Sequence, residues 1–374
     1  MRFTLSSTAL NSRLQTLSKV INSKNSLPIL ESFLFQVNNG QLTVTASDNE
    51  NTMQTNLALD GNEGEGNFAV PSHTILDAVK ELPEQPLTFE VNLETFEVTI
   101  NYQNGVYRFA AQNADEYPQR APITDDVHVI TIAADVLSSS INHTLFATDN
   151  NELRPVMNGI YFDLTPDCLA IVASDGHKLV RCRNYNIKSE VPASLVLPKK
   201  PATLLKNSLA RDNGDVVIKF NKQSAEIHFS EGLLSCRLIE GTFPNYNAAI
   251  PQDNPNELLI DRRVLQSAIR RVLPFASMSS QLVRLRLEVG SLEVSSEDID
   301  FATSAREQLV CEYNGQPLQI GFRGDFLMEI LSAMDTDEIK IELGDPSRAG
   351  IIVPTEQSKD EDLLMLIMPL LLNE

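Results

Sequence analysis

Tryptophan is absent from the 374 residues, and only 6% are aromatic. A surface that stacks single-stranded bases needs aromatic faces, so that mode of binding is disfavoured. Cysteine is scarce. Cys168, Cys182, Cys236 and Cys311 lie far apart and form no CxxC pair, which argues against a disulfide framework or zinc site and suits a reducing cytosol. His73, His128, His143, His177 and His228 make no metal-like spacing, so no metal or cofactor is expected. No apolar run approaches the roughly 18 residues of a membrane span. The start, MRFTLSSTALNSRL, has no apolar signal-peptide region. Positive charge is short, with 30 Lys+Arg against 50 Asp+Glu and a formal net charge of −20. A basic nucleic-acid binder is excluded unless its cations are gathered on one face. There is no P-loop, no GxGxxG opening a helix, no GxSxG and no HExxH. The glycine cluster Gly61-Asn-Glu-Gly64-Glu-Gly66 carries two glutamates that would repel phosphate, so it reads as a surface turn.

What is present is a globular composition, 42% hydrophobic and 21% charged, long enough for two or three domains. One cluster invites an enzymatic reading, Ser174-Asp175-Gly176-His177. Catalytic triads converge in space rather than along four adjacent residues. The plainer reading is a strand end and a turn in which Gly176 takes positive φ.

The main signal is internal repetition. Leu42–Asp48, Leu169–Asp175 and Leu292–Asp298 each alternate apolar residues and end on an aspartate, at intervals of roughly 125 residues. Phe68–Pro71, Leu195–Pro198 and Ile320–Arg323 are short strands that each feed a helical stripe. These stripes are Ile75, Leu76, Val79, Leu82; then Leu204, Leu205, Leu209; then Phe326, Leu327, Ile330, Leu331. Phe3–Leu5, Ile130–Ile132 and Leu258–Ile260 open the three units. They lead to helices carrying Leu10, Leu14, Leu17, Ile21; Val136, Leu137, Ile141, Phe146; and Val264, Leu265, Ile269, Val272. Asp261 is placed to cap the last of these. Leu87–Val91 with Val98–Tyr102, and Val216–Phe220 with Ala225–Phe229, read as hairpins. The expectation is an α+β chain of three like domains, 1–125, 126–253 and 254–374, each with two helices.

Basic residues collect on three of the segments read as helices. Arg13 and Lys19 lie on the first, Lys199, Lys200, Lys206 and Arg211 on the fourth, and Arg262, Arg263, Arg270 and Arg271 on the fifth, while acids dominate strands and loops. Such a helical surface meets phosphates without reading bases.

Five stretches carry a family resemblance. They are Ser26-Leu27-Pro28-Ile29-Leu30, Met157-Asn158-Gly159, Ala173–Leu179, Gly241-Thr242-Phe243-Pro244-Asn245-Tyr246 and Met368-Pro369. Together they make the whole chain resemble the bacterial DNA polymerase III beta subunit family, the sliding clamps. The resemblance implies the DNA clamp fold, in which each repeat places two helices inside outer antiparallel sheets, and a head-to-tail homodimeric ring. Twelve helices, each about 10 Å wide, would leave a hole of roughly 28 Å, room for a duplex about 20 Å across. It also implies a non-catalytic processivity factor in the cytoplasm, associated with the nucleoid. Its partners would be duplex DNA without sequence preference and, through short linear motifs, the polymerase III catalytic subunit, the clamp loader, other polymerases and repair proteins. The DNA-facing residues implied are Lys24 and Asn151, with Arg13, Lys19, Lys199, Lys200, Lys206, Arg262, Arg263, Arg270 and Arg271. The partner-peptide pocket would take Met157, Ser174, Gly176, His177, Lys178, Leu179, Pro244, Ala349, Leu366, Met368, Pro369 and Leu370. The dimer contact would take Phe109 and Ala111 on one side and Pro274 and Phe275 on the other. The chain departs from the family pattern at Asn247-Ala248-Ala249, where a basic and a larger aliphatic residue are common, which predicts a wider, less polar pocket.

Overall fold

The computed structural model describes residues 1–22 and 27–372. Strand alternation builds four antiparallel sheets among these residues. A five-stranded sheet runs Gly61–Glu63, Arg2–Ser6, Pro86–Asn92, Glu97–Tyr102, Gly105–Ala110. An eight-stranded sheet runs His128–Ala133, Asp215–Phe220, Ser224–Phe229, Gly232–Arg237, Asn51–Ala58, Gln41–Ser47, Ser32–Asn38, Gly66–Pro71. A nine-stranded sheet runs Ala193–Pro198, Gly159–Leu164, Leu169–Ser174, Lys178–Asn184, Glu361–Ile367, Gly350–Pro354, Glu338–Leu343, Asn256–Asp261, Glu312–Tyr313. A four-stranded sheet runs Thr303–Val310, Ser291–Asp298, Leu282–Glu288, Leu318–Arg323. The two expected hairpins form in register, with Phe89 opposite Ile100 and Ile218 opposite Ile227.

Six α-helices occur among the described residues: α1 Ser7–Ser18, α2 Ser72–Val79, α3 Ala134–Thr144, α4 Lys199–Leu209, α5 Arg262–Val272 and α6 Gly324–Ala333. Each follows a short strand. Ser6 caps α1 by accepting from the Ala9 N–H at 3.1 Å, and Asp261 caps α5 by accepting from the Val264 N–H at 2.9 Å. The helices are shorter than their stripes. Ile21, Leu82 and Phe146 fall beyond the ends of α1, α2 and α3. In α2 the stop follows from Pro83, since the residue before a proline avoids helical geometry. In α5 the buried face is Leu265, Ala268, Ile269 and Val272, and Val264 is exposed. The Gly61–Gly66 segment is exposed, but it is more than a turn. Gly61–Glu63 pairs with Arg2–Thr4 as an edge strand, and Gly64 takes φ +85°.

The three aspartates act alike. Asp48 Oδ1 accepts from the N–H of Glu50 and Asn51, at 3.0 and 2.6 Å. Asp175 Oδ1 accepts from His177 and Lys178, at 2.8 and 2.9 Å. Asp298 Oδ1 accepts from Asp300 and Phe301, at 3.0 and 3.2 Å. Each aspartate thus closes its own turn, which is why the repeat shows at these positions.

By packing, the chain divides into two compact units, Met1–Ser138 with Lys200–Leu238, and Ser139–Lys199 with Ile239–Glu374. The cut passes through the middle of the chain because strands there pair outward in both directions. In the first unit Gly232–Arg237 pairs with Asn51–Ala58, and in the second Lys178–Asn184 pairs with Glu361–Ile367.

Candidate functional site

The most chemically distinct surface lies in the second unit, around the turn Asp175–Lys178. Gly176 takes φ +89° there, as its lack of a side chain permits. Ser174 Oγ donates to the Lys178 carbonyl at 2.9 Å and accepts from the Gly176 N–H at 3.1 Å. Its hydroxyl is engaged inside the turn, so the structure shows no Ser174–His177 nucleophile pair. Lys178 is only 5% exposed. Its ammonium lies 2.8 Å from Asp175 Oδ2 and 3.0 Å from Glu329 Oε2, and 4.1 Å from the Phe326 ring centroid. Burial opposes both charges. The Lys178 ammonium, with the backbone N–H groups of Lys178 and His177, nevertheless holds the Asp175 carboxyl below its ordinary value, and the two carboxylates raise Lys178.

Beyond the turn, alternation splits the strands between two apolar clusters. Val180, Met365 and Ile367 point into the main core of the unit. Leu179, Leu364 and Leu366 point to the opposite face, where they meet Ala170, Val172, Phe243, Tyr246, Ala349 and Ile351. Phe243 stacks on Tyr161 at 4.6 Å, and the Tyr246 hydroxyl donates to Asp163 Oδ2 at 2.9 Å. The C-terminal segment is tied to the turn by the Met368 N–H, which donates to the His177 carbonyl at 2.8 Å, and to the four-stranded sheet by the Leu370 N–H, which donates to the Gly321 carbonyl at 2.8 Å. Met368 remains 41% exposed, Pro369 and Leu370 are half-buried, and His177 and Pro244 are exposed. Met157 is buried, with an Arg154 N–H directed at its sulfur at 3.9 Å.

The structure therefore brings Ser174, Gly176, His177, Lys178, Leu179, Leu366 and Met368 to one end of one sheet, with Ala349 in the adjoining cluster. Sequence reasoning missed Arg154, whose guanidinium sits 3.1 Å from where a Gly176 Cβ would be. Phe326, which the helical stripe marks only as a core position, also faces Lys178, its ring centroid 4.1 Å from the ammonium. Phe243 was in view within its motif but was not singled out.

The basic helix residues are less free than their count implies. Arg13 pairs with Glu231, Lys200 with Asp48 at 2.6 Å and the Val20 carbonyl at 2.7 Å, Arg263 with Asp337 at 3.0 Å, and Arg271 with both oxygens of Glu307 at 2.5 and 2.6 Å. Arg262 donates to the carbonyls of Thr336 and Leu331. Lys199 bonds Asn150, and burial lowers its pKa. Lys19, Lys206 and Arg270 are exposed and make no ion pair among the described residues. Asn151 is exposed in its loop, its side-chain oxygen accepting from the Leu153 N–H at 3.0 Å. Lys24 lies outside the described residues.

Phe109 is half-buried on Gly105–Ala110, the outermost strand of the five-stranded sheet, and Ala111 is buried just beyond it. Pro274 and Phe275 are exposed on the short turn that follows α5. No group of three or more His, Cys, Asp or Glu among the described residues is placed to hold a metal, and no helix among them is long and apolar enough to cross a membrane.

Solved structures share this architecture over their full length. The sliding clamp (DNA polymerase III subunit beta) of Pseudomonas aeruginosa bound to griselimycin superposes with a TM-score of 0.93 at 24% identity, covering 100% of both chains. That of Bartonella birtlesii bound to griselimycin superposes at 0.90 and 25% identity, again over 100% of both. The fold is that of a sliding clamp, a class that carries no active site. Family models for the N-terminal, central and C-terminal domains of the DNA polymerase III beta subunit match residues 1–121, 131–245 and 247–370. The chain belongs to the DNA polymerase III beta subunit family and is a non-catalytic clamp of DNA replication. Among curated relatives, the beta sliding clamp of Synechococcus elongatus is 27% identical over 372 residues, covering 96% of each chain.

Proposed function

We propose that two copies of this chain close head to tail into a ring that encircles duplex DNA, holds it without sequence preference, and tethers the replicative polymerase. The three sequence repeats, 1–125, 126–253 and 254–374, would supply six domains and twelve inward helices to that ring, acting in the cytoplasm at the nucleoid. The observation that carries the reading is a strand pairing used twice within the chain and left open at both ends. Thr52 and Leu179 each stand just across the turn from the end of the preceding strand, opposite Ser47 and Ser174. Thr52 pairs onward with Ser235, and Leu179 with Leu366. Ser304 holds the same place in the third repeat, opposite Glu297, on the outermost strand of its sheet. In the first repeat Arg108 is the counterpart of Ser235, each lying three residues after the glycine that opens its strand. Gly105–Ala110 and Thr303–Val310 are thus a matched donor edge and acceptor edge. Open strand edges invite pairing with another chain, and a heterologous contact closes only where the rotation permits. Phe109, Ala111, Pro274 and Phe275 would flank this contact.

The apolar face beside the Asp175–Lys178 turn is the proposed docking pocket. It would accept short linear motifs from the polymerase III catalytic subunit, the clamp loader, other polymerases and repair proteins, and griselimycin. Met and Leu side chains give an adaptable surface that suits several partners. For DNA, exposed Lys19, Lys206, Arg270 and Asn151, together with Lys24, are the favoured contacts. Solution mass and projection imaging test the assembly. The expected result is a dimer with a central opening; solid monomeric particles at cellular concentration would overturn it.

A further inference from the structure

Lys178 stands in the proposed pocket, yet its ammonium is turned away from any visitor. The side chain is 6% exposed and engaged on three sides, by Asp175, Glu329 and the Phe326 ring. Two of these partners come from α6, which otherwise packs into the core. Asp175 in turn holds the N–H groups of His177 and Lys178, and the His177 carbonyl holds the Met368 N–H at 2.8 Å. A continuous chain of charge-assisted and backbone bonds therefore runs from Glu329 through Lys178 and Asp175 to Met368, which is the exposed lip of the apolar face.

We infer that Glu329 is a positioning residue for the docking pocket: from outside the apolar face, it fixes the Asp175–Lys178 turn and, through that turn, the placement of Met368. The inference rests on the pocket reading above. Its physical basis is the cost of leaving a buried ammonium with one carboxylate fewer. Asp175 alone must then satisfy Lys178 while also capping two backbone N–H groups. Lys178 is drawn toward water, and the turn that it anchors loses its fixed geometry. Glu329 is 46% exposed at its side chain, so its loss leaves no cavity in the core. The effect is therefore directed at the turn rather than at the fold.

The test measures griselimycin binding by calorimetry on the full-length protein, together with hydrogen exchange of the 364–372 segment. Glu329→Ala is expected to weaken binding about fivefold, the scale of one partly exposed ion pair. It should speed exchange of the Met368 and Leu370 amides and lower the unfolding temperature only modestly, with the dimer mass unchanged. Glu329→Gln keeps the shape and should fall between Ala and wild type. In a Lys178→Met background, Glu329→Ala should have no further effect on affinity, because the path is already cut; a merely structural contribution would add. Wild-type affinity and wild-type exchange in both Glu329 variants would overturn the inference, as would full additivity with Lys178→Met. Should Glu329→Ala unfold, Glu329→Gln decides alone by the same two readouts. Failure of the wild-type protein to bind griselimycin would instead count against the pocket as griselimycin's site, and the exchange comparison would still judge the Glu329 link.

Discussion

At the scale of single residues, charge counts mislead until each cation's partner is known. Arg270 and Arg271 are neighbours in sequence, yet Arg271 is held by both Glu307 oxygens while Arg270 is exposed and unpaired among the described residues. Arg270→Ala is expected to weaken duplex binding about threefold and to lower the salt slope by about one. Arg271→Ala should do less, because Glu307 already engages that guanidinium and holds it back from phosphate. Filter binding across a salt series checks this; equal losses would contradict the assignment. The Asp175 carboxyl gives a second prediction. Its folded pKa lies below the ordinary 3.8, so its contribution to stability is present above that value and is lost as pH falls through the depressed one. Asp175→Asn should therefore destabilise the protein at neutral pH and remove part of the acid sensitivity below about pH 4. Chemical unfolding at pH 7 and pH 3 measures both; a loss that is equal at the two values would refute it.

At the scale of elements, the strands carried their own signal and the connections did not. Alternation marked the hairpins and the aspartate turns, since a two-residue period and a capping carboxylate are local facts. Which strand would extend the next repeat's sheet was invisible, because pairing between distant strands depends on edges that sequence does not display. Helix ends were legible where a cap residue stood, as at Asp261, and illegible where the last apolar residue lay in a following turn, as with Phe146 in Leu145–Ala147. Of the site, the turn and its motif were readable. The pairing of Lys178 with Glu329 and of Lys200 with Asp48 was not, because these partners lie more than a hundred residues away in sequence. One glycine tests the pairing between repeats. A Cβ on Gly232 would collide with the Gln54 backbone carbonyl across the strand joint. Gly232→Ala is expected to cost about 2–4 kcal/mol, since backbone rather than a flexible side chain must move. Thermal unfolding should show the loss, and an unchanged midpoint would mean that the joint is looser than its geometry.

At the scale of the whole molecule, the same joint predicts how copies meet. Continuing the internal register into the proposed dimer would bring Ser304 of one protomer opposite Arg108 of its neighbour. Cross-strand pairs have Cα separations of about 4.5–5.5 Å, within disulfide reach. Protein carrying Ser304→Cys and Arg108→Cys should therefore cross-link under oxidation into a covalently closed dimer, while either substitution alone should not. Cross-linking of neither, or of ladders without a closed dimer, would contradict the register. The proposed closure would also explain how a chain with a net charge of −20 can work on DNA. Retention by topology would need only weak phosphate contact, so the net negative charge would not have to attract the duplex. The most direct measurement is retention after loading onto nicked circular DNA by the clamp loader, compared before and after a single restriction cut. The protein should co-elute with the circle and be lost from the linear molecule with free ends. Equal retention on both would show that affinity, not encirclement, holds it there.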